Sequence, residues 1–457
     1  MSVSLSKPIA AATKDFSFKE YAWQQFKQNK PALYSLYIFF TLIFLAVFAD
    51  IIANDQPLTC VYKGERLYPA FSSMFSSKPV IHEFAGSTAT QENKIQYDIT
   101  PWKQLPLESA IWALFPYSPT RPDKYNRDFT APSAKQMYKN SKEELVELPW
   151  SFRHHLGTDQ LGRDVLSGLI HGTRVALKVG IISVFISALI GIILGALSGF
   201  YGDTELTTHR ITYYLVWLGV ILGIFYGFIV QADGMKDAFQ QGMLPGIMKL
   251  CLAVFTFIGV IALMNIVGNV LAKISPSFLK KQVTIPIDSI VSRTIEVLNS
   301  TPKLLLIISI AAIFKEKSLG IVMAVIGLTS WTGIARFTRA EFLRTKNLEF
   351  IQASKALGYT DSRTIFQHAL PNSFAPVFID IAFSIAAAIL AEASLSFLGI
   401  GVPDDMVTWG TLLSSARQQF EAYWLVIYPG LAIFITVTIY NLIGEGLRDA
   451  LDPKLKT

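Results

Sequence analysis

Between two long apolar runs the chain carries FIQASKALGYTDSRTIFQHALPN, Phe350 to Asn372, whose residue types suit mechanical work on another molecule rather than covalent chemistry. Gln352 to Leu357 is rich in Ala, Lys, Leu and Gln and favours helix. Gly358 falls where a helix C-terminus takes a positive φ. Thr360, Asp361 and Ser362 are N-cap types for a second short helix, and Pro371 ends that helix or starts the next. A stiff, bent, basic element held between membrane spans is suited to being gripped by another protein.

Covalent chemistry finds little support. No Gly-x-x-x-x-Gly-Lys-Ser/Thr occurs, so the chain has no phosphate-cradling loop of its own, and there is no His-Glu-x-x-His, Cys-x-x-Cys or Gly-x-Ser-x-Gly. His154 and His155 are the only adjacent pair among six histidines and read as exposed surface residues. Cys60 and Cys251 exclude a disulfide framework and read as free thiols. These residues point to no enzyme, no metal site and no cofactor bound by this chain. Charge inside the apolar runs is the other candidate, because carboxylates there are costly and usually face a bundle interior. At about 1.5 Å per residue, Asp380 lies about 12 Å along a helix from Asn372 and Glu392 about 30 Å. Asn441 and Glu445 stand one turn apart. Asp380 or Glu392, the latter beside Ser394 and Ser396, could meet a solute's amino group, or could join helices by hydrogen bonds or ion pairs. Ahead of the second apolar run, Thr158 or Asp159 can cap a short helix, and Arg163 and Asp164 can pair or hold an outer gate.

The elements that must position these groups are membrane spans. Hydrophobic residues make up 51% of the chain and charged residues 16%, against about 25% charged in a soluble domain. The formal net charge of +6 needs no nucleic acid, since inner loops of membrane proteins carry excess Lys and Arg. Runs near the required length of about 20 residues lie at 33–52, 172–199, 286–314, 318–336, 374–399 and 422–446, with two more at 213–230 and 251–271. The tail 1–32 precedes the first span (33–53) without a cleavage site, so that span is an anchor. Lys7, Lys14, Lys19, Lys27 and Lys30 against Asp15 and Glu20 put the tail in the cytoplasm. In the second span region (161–203), Gly191, Gly195 and Gly199 recur every four positions, a spacing that serves close helix packing rather than gating. Residues 204–284 read as an inserted hydrophobic hairpin crossing in, out and in again, with a re-entrant hairpin as the alternative. Such an even insertion keeps 350–372 in the cytoplasm with Lys273, Lys280 and Lys281. Residues 54–160 form a large periplasmic loop rich in proline and aromatics, in which LTCVYKGERLYP reads as a short β-hairpin. Loops this long are usually functional or partly disordered.

Ala353-Ser354, Gly358 and His368-x-Leu370-Pro371-Asn372 resemble the EAA loop of ABC-importer permeases, whose usual Glu-Ala-Ala reads here Gln352-Ala353-Ser354. Four further blocks are similar to one branch, the C-type permeases of dipeptide and oligopeptide importers: WQQFKQNKPAL (23–33), HLGTDQLGRDVLSGLIHGTRVAL (155–177), AEASLSFLGIGVP (391–403) and NLIGEGLRDALDPKLK (441–456). IANDQPL followed by VYKG is similar to a subgroup with an enlarged outer segment.

The resemblance implies an all-α polytopic membrane protein: a six-span permease core with a two-span hairpin inserted at 204–284 and a large outer loop containing a short β-hairpin. The core resumes over 285–457 and holds the cytoplasmic coupling loop 337–372. It implies a multi-pass protein of the bacterial inner membrane with a cytoplasmic N-terminus, acting as the permease subunit of an ATP-driven di- or oligopeptide importer. Its partners would be a second homologous permease, two ATPase subunits that bind the ATP and Mg, a periplasmic substrate-binding protein, the peptide and the bilayer, with no nucleic acid. In the family a short cytoplasmic helix lies in a groove on the ATPase. Carried onto this sequence, that contact falls on Ala353, Gly358, Tyr359, Thr360 and Asp361, with Arg363 at the rim and Leu370 and Pro371 behind. The long outer loop is then a lid, a docking surface for the binding protein, or both. An importer of nickel or another small solute in the same branch is the near alternative. A membrane-anchored receptor or assembly factor is the distant one, and the 350–372 segment speaks against it, because a receptor needs no hairpin for an ATPase to grip.

Overall fold

The computed structural model describes residues 18–74, 76, 79–84, 94–139, 144–314, 317–403 and 405–451. Lys7, Lys14 and Asp15 of the tail and the last residues of the 441–456 block lie outside these. The principal helices are α1 (Phe18–Gln28), α2 (Lys30–Val47), α3 (Val165–Tyr201), α4 (Arg210–Ile224, prolonged by a π-helical turn to Ile229), α5 (Met243–Ile274), α6 (Ile287–Ser300), α7 (Lys303–Ile313), α8 (Leu319–Thr345), α9 (Glu349–Ala356), α10 (Leu370–Phe397), α11 (Trp409–Ser415) and α12 (Trp424–Leu451). Among the described residues seven helices are long and apolar enough to cross a membrane, and eight if the bent pair α6–α7 counts as one span. The protein is therefore an all-helical polytopic membrane protein, with its few strands set apart from the bundle.

The bundle is built on a seam between α3 and α8. A Cβ on Gly191, Gly195 or Gly199 would stand 2.9, 2.5 and 2.6 Å from the carbonyl oxygens of Trp331, Ala335 and Arg339. Glycine at every fourth position thus lets two backbones touch, as close packing in lipid requires. The Ser187 hydroxyl donates to the Gly327 carbonyl across the same seam at 2.8 Å. Val179, Val184, Ile307, Ile326, Ile334 and Leu395 complete the core around it. At the other side α12 takes in the start of the chain. Asn29 caps α2 by accepting from the Ala32 N–H, and its amide donates to Asp449 at 2.9 Å.

The 286–314 run, expected as one span, is two helices meeting at 88°. Thr301 is extended (φ −94°, ψ 131°) and Pro302 has no N–H, so the helical ladder stops there.

Within 204–284 the two ends are tied together. Strand Thr207–His209 pairs antiparallel with Gln282–Thr284, so the segment leaves and rejoins the body at one level. Gly219 packs on Met264, Gly223 on Phe257 and Gly227 on Ala253, which makes α4 and α5 antiparallel. A short helix, Ala232–Gln241, joins them. Phe255, Ile258, Leu263 and Ile266 of α5 face outward, as lipid-facing residues do. With the native thiols removed, cysteines placed at Gln241 and Lys281 are expected to react with a membrane-impermeant maleimide from opposite faces. Reaction of both from one face would make the segment re-entrant.

The segment ahead of α3 holds β1 (Thr59–Tyr62), β2 (Glu65–Leu67) and, further on, Ser109–Ile111, in a three-stranded antiparallel sheet with β1 central. The β1–β2 turn is Lys63-Gly64, both at positive φ (52° and 77°), the two-residue geometry that suits the twist of a hairpin. Cys60, Leu67, Phe84, Tyr97 and Trp102 form a small core of its own. Cys60 is thus a buried thiol, not a loop residue, and burial pushes its pKa up to about 11.

Candidate functional site

Helix α9 ends in a Schellman closure that follows from one residue. The Tyr359 N–H bonds the Ser354 carbonyl at 3.1 Å and the Gly358 N–H the Lys355 carbonyl at 3.0 Å. Gly358 between them has φ +78°, which other L-residues resist. The Thr360 hydroxyl then caps the next helix by accepting from the Arg363 N–H. That helix was expected to be short, with Pro371 ending it or starting the next. Instead it runs without interruption from Asp361 to Phe397. Residues Thr364–Ala369 form a π-helical turn, and Pro371 falls at the start of the α-helical turns that follow. The missing proline N–H therefore lies at a register change rather than inside a regular ladder. Asn372 bonds the His368 carbonyl with its side-chain amide at 2.6 Å.

The hairpin has a rooted face and a bare one. Ile351, Ile365 and Ala369 are buried against Phe200 and Phe342 of α3 and α8. Thr345 and Ser373 share a buried hydroxyl bond of 3.1 Å. Lys355 reaches Glu205 at 3.2 Å and lies over the Phe200 ring, while the Tyr201 hydroxyl faces Asp361. On the opposite face Phe350, Ala353, Leu357 and Phe366 are exposed, Leu357 by 73%. Tyr359 is stacked on His368 and covered by the Arg363 guanidinium 4.2 Å from its centre, so the tip is stiffened by its own side chains. Leu370 is half-buried behind the tip and Pro371 is exposed.

The intramembrane carboxylates separate by environment. Glu392 is 1% exposed, accepts from the Ser396 hydroxyl at 2.6 Å and is approached by Thr408, the N-cap of α11. It ties α10 to α11. Asp380 is half-buried, with one carboxylate oxygen buried and without a hydrogen-bond partner among the described residues, and Arg336 supplies the opposing charge. Beside Arg336 opens a cavity of about 520 Å³ bordered by Ser292, Glu296, Asn299 and Arg339. Glu445 and Asn441 are exposed on α12. A charge that no local pattern announces sits at one end of the α3–α8 seam. Arg339 grips Asp288 with two bonds, and the Ser198 hydroxyl donates to the same carboxylate at 2.5 Å.

The outer element differs from expectation. Thr158 and Asp159 cap no short helix. Asp159 closes a tight turn by accepting from the Leu161 and Arg163 N–H groups and from the Arg163 guanidinium at 2.6 Å. The Thr158 hydroxyl donates to the Asn126 carbonyl. Asp164 caps α3 through the Ser167 N–H and bonds His154 with its other oxygen at 2.8 Å. His154, expected at the surface, is fully buried, with its second nitrogen 3.2 Å from Asp123. Two carboxylates, one on each ring nitrogen, make burial of an imidazolium tolerable.

Burial opposes the charge on His154, but the bonds to Asp123 and Asp164 and their negative charge outweigh it and raise its pKa. On Asp123 burial likewise opposes the charge, and bonds from His154, the Tyr125 N–H and Asn126 prevail, so its pKa is depressed. A raised histidine contributes stability fully below about pH 6.5 and loses it as pH climbs through the folded value. A depressed aspartate contributes above about pH 4 and loses it as pH falls through the folded value. Thermal stability of the outer segment is therefore expected to be highest between about pH 4 and about pH 6.5 and to fall on the alkaline side. Melting curves of wild type and His154→Gln across neutral to alkaline pH check this. An equal alkaline fall in both would mean that the imidazolium contributes nothing.

Residues 284–457 match the family described as binding-protein-dependent transport system inner membrane component, and residues 17–64 match the N-terminal TM domain of oligopeptide transport permease C. The chain is 32% identical over 305 residues to the di/tripeptide transport system permease protein DppC of Pseudomonas aeruginosa, covering 66% of this chain and 73% of that one. It is 26% identical over 431 residues to the inner membrane ABC transporter permease protein YejE of Escherichia coli, covering 94% and 96%. It is also 26% identical over 443 residues to the peptidoglycan transport system permease protein YejE of Agrobacterium fabrum, covering 94% and 92%.

Proposed function

The chain belongs to the binding-protein-dependent transport family of inner-membrane permeases, and from that premise we propose that it is the permease subunit of an ATP-driven importer of short peptides. The observation that carries the coupling role is the bare apolar face of the 349–369 hairpin on a root buried between α3 and α8. An ATPase groove supplies the missing cover, and ATP and Mg belong to that partner. Because Asp361–Phe397 is one helix, a push on the hairpin tip moves a lever that ends beside Glu392 and α11. Asp380 lies on the same lever, within the field of Arg336, which borders the cavity where a second permease would complete the passage. We place the N-terminal tail, 273–284 and 337–372 in the cytoplasm, and 54–160 and 231–244 outside.

The peptide substrate rests on the relatives named for di/tripeptide and oligopeptide transport. A relative named for peptidoglycan transport aligns over 94% of this chain, so a peptidoglycan fragment belongs in the same test. The complex reconstituted with its second permease, ATPases and binding protein should take up labelled di- and tripeptides in an ATP-dependent way. Uptake of nickel but not of peptides would move the assignment to the small-solute reading. Failure of any ATPase to co-purify would end the importer reading.

A further inference from the structure

The outer segment holds an open cavity of about 990 Å³ that plays no part in the transport reading. Its walls are largely apolar, with Trp112, Tyr117, Phe152, Leu105 and Leu148 facing in. Small-molecule sites commonly have about 300–1,000 Å³ and such a lining, with a few placed polar groups. One of the cations lining this cavity has aromatic rings rather than a carboxylate against it. The Lys103 ammonium stands 3.4 Å from the centre of the Tyr117 ring and 5.5 Å from that of Phe152. Among the described residues it makes no hydrogen bond and no ion pair. The neighbouring carboxylates are engaged elsewhere: Asp55 with Arg121, Asp123 with His154 and Asn126, Asp164 with His154 and the Ser167 N–H. Lys103 is crowded by protein, yet its side chain is accessible to water, because it opens on the cavity. Burial pulls its pKa down to about 8 against the attraction of Asp123, Asp55 and Asp164. It is a charged donor with its solvation only partly replaced.

We propose that this cavity binds a small apolar carboxylate, best fitted by a short peptide with an aromatic C-terminal residue. Its carboxylate would lie on Lys103 and its side chain among Trp112, Tyr117 and Phe152. The Lys103 charge matches one carboxylate. A phosphate dianion would have Asp55 and Asp123 close by, and is disfavoured. The site uses residues of the outer segment alone, so it stands whether or not the chain moves peptides.

Full-length protein in lipid nanodiscs, titrated calorimetrically near neutral pH, tests this with alanyl-phenylalanine and its C-terminal amide. The acid is expected to bind about tenfold or more tightly than the amide, the scale of one charge-assisted hydrogen bond. Lys103→Met keeps the stem, removes the charge and should abolish that preference, while Lys103→Arg should retain it. Above about pH 8 the acid's affinity should decline as Lys103 loses its proton, by up to about tenfold per pH unit. Equal binding of acid and amide by the wild type overturns the proposal without any variant. So does an undiminished preference in Lys103→Met, which would put the carboxylate elsewhere, for example in the membrane passage. Absence of binding at millimolar peptide overturns it as well. No ATP or ATPase is present, so failure of the transport reading would leave these titrations unchanged.

Discussion

Gly358→Val is expected to insert and accumulate normally but to lower the substrate-stimulated ATP hydrolysis of the assembled importer about tenfold. The position isolates a backbone effect. Gly358 has φ +78°, and a Cβ built on it meets nothing within 4 Å. Space is therefore free, and the cost is the left-handed conformation itself, about 1–2 kcal/mol for an L-residue and more for a β-branched one. That is enough to shift the hairpin population by about tenfold. With the Schellman closure opened, Tyr359 leaves the Ser354 carbonyl and α9 no longer presents Ala353 and Leu357 at a fixed angle to Asp361. Asparagine tolerates this conformation, so Gly358→Asn should keep most of the activity. ATPase rates of the reconstituted complexes, compared at equal permease content, decide the matter. Equal rates for valine and asparagine would mean that the bend does not transmit force.

The features legible in the sequence were those written in one residue or one period. Gly358 is legible because few side chains other than hydrogen suit that turn, and Lys63-Gly64 because a two-residue hairpin demands it. The spacing of Gly191, Gly195 and Gly199 announces a backbone contact, though not its partner. What escaped depends on chain-distant meetings. Lys355 and Glu205 are 150 residues apart, and no local pattern pairs them. His154 is buried because Asp123 and Asp164 arrive from either side, which adjacency to His155 conceals. Asp288 looks like a helix-start acid until Arg339 and Ser198 are seen around it. The break at Thr301-Pro302 was within reach, since a proline inside an apolar run restricts the residue before it. The continuity of Asp361–Phe397 was not, because the π-helical turn that accommodates Pro371 has no sequence signature.

The α3–α8 seam sets the largest loss expected from a single change. In Gly195→Val the new Cβ would lie 2.5 Å from the Ala335 carbonyl oxygen and 2.7 Å from Thr338 Cβ. The first is a backbone atom and cannot turn away, so the helices must part along the seam. Parting them breaks the Ser187–Gly327 bond and loosens the Arg339–Asp288–Ser198 cluster one turn away. Overpacking costs about 1–3 kcal/mol where side chains can yield, and more is expected where a backbone blocks. In a chain of 457 residues about 3 kcal/mol lowers the melting temperature by about 3 °C. Gly259→Val on α5 is the matched control, since its Cβ meets nothing within 4 Å. Both changes put the same isopropyl group in place of a glycine hydrogen on an apolar helix. Only the seam distinguishes them. Detergent-solubilised Gly195→Val should melt about 3 °C or more below wild type or fail to accumulate, with Gly259→Val unchanged. If the two variants melt alike, the glycines of α3 do not hold it against α8, and the root of the coupling hairpin must be sought elsewhere.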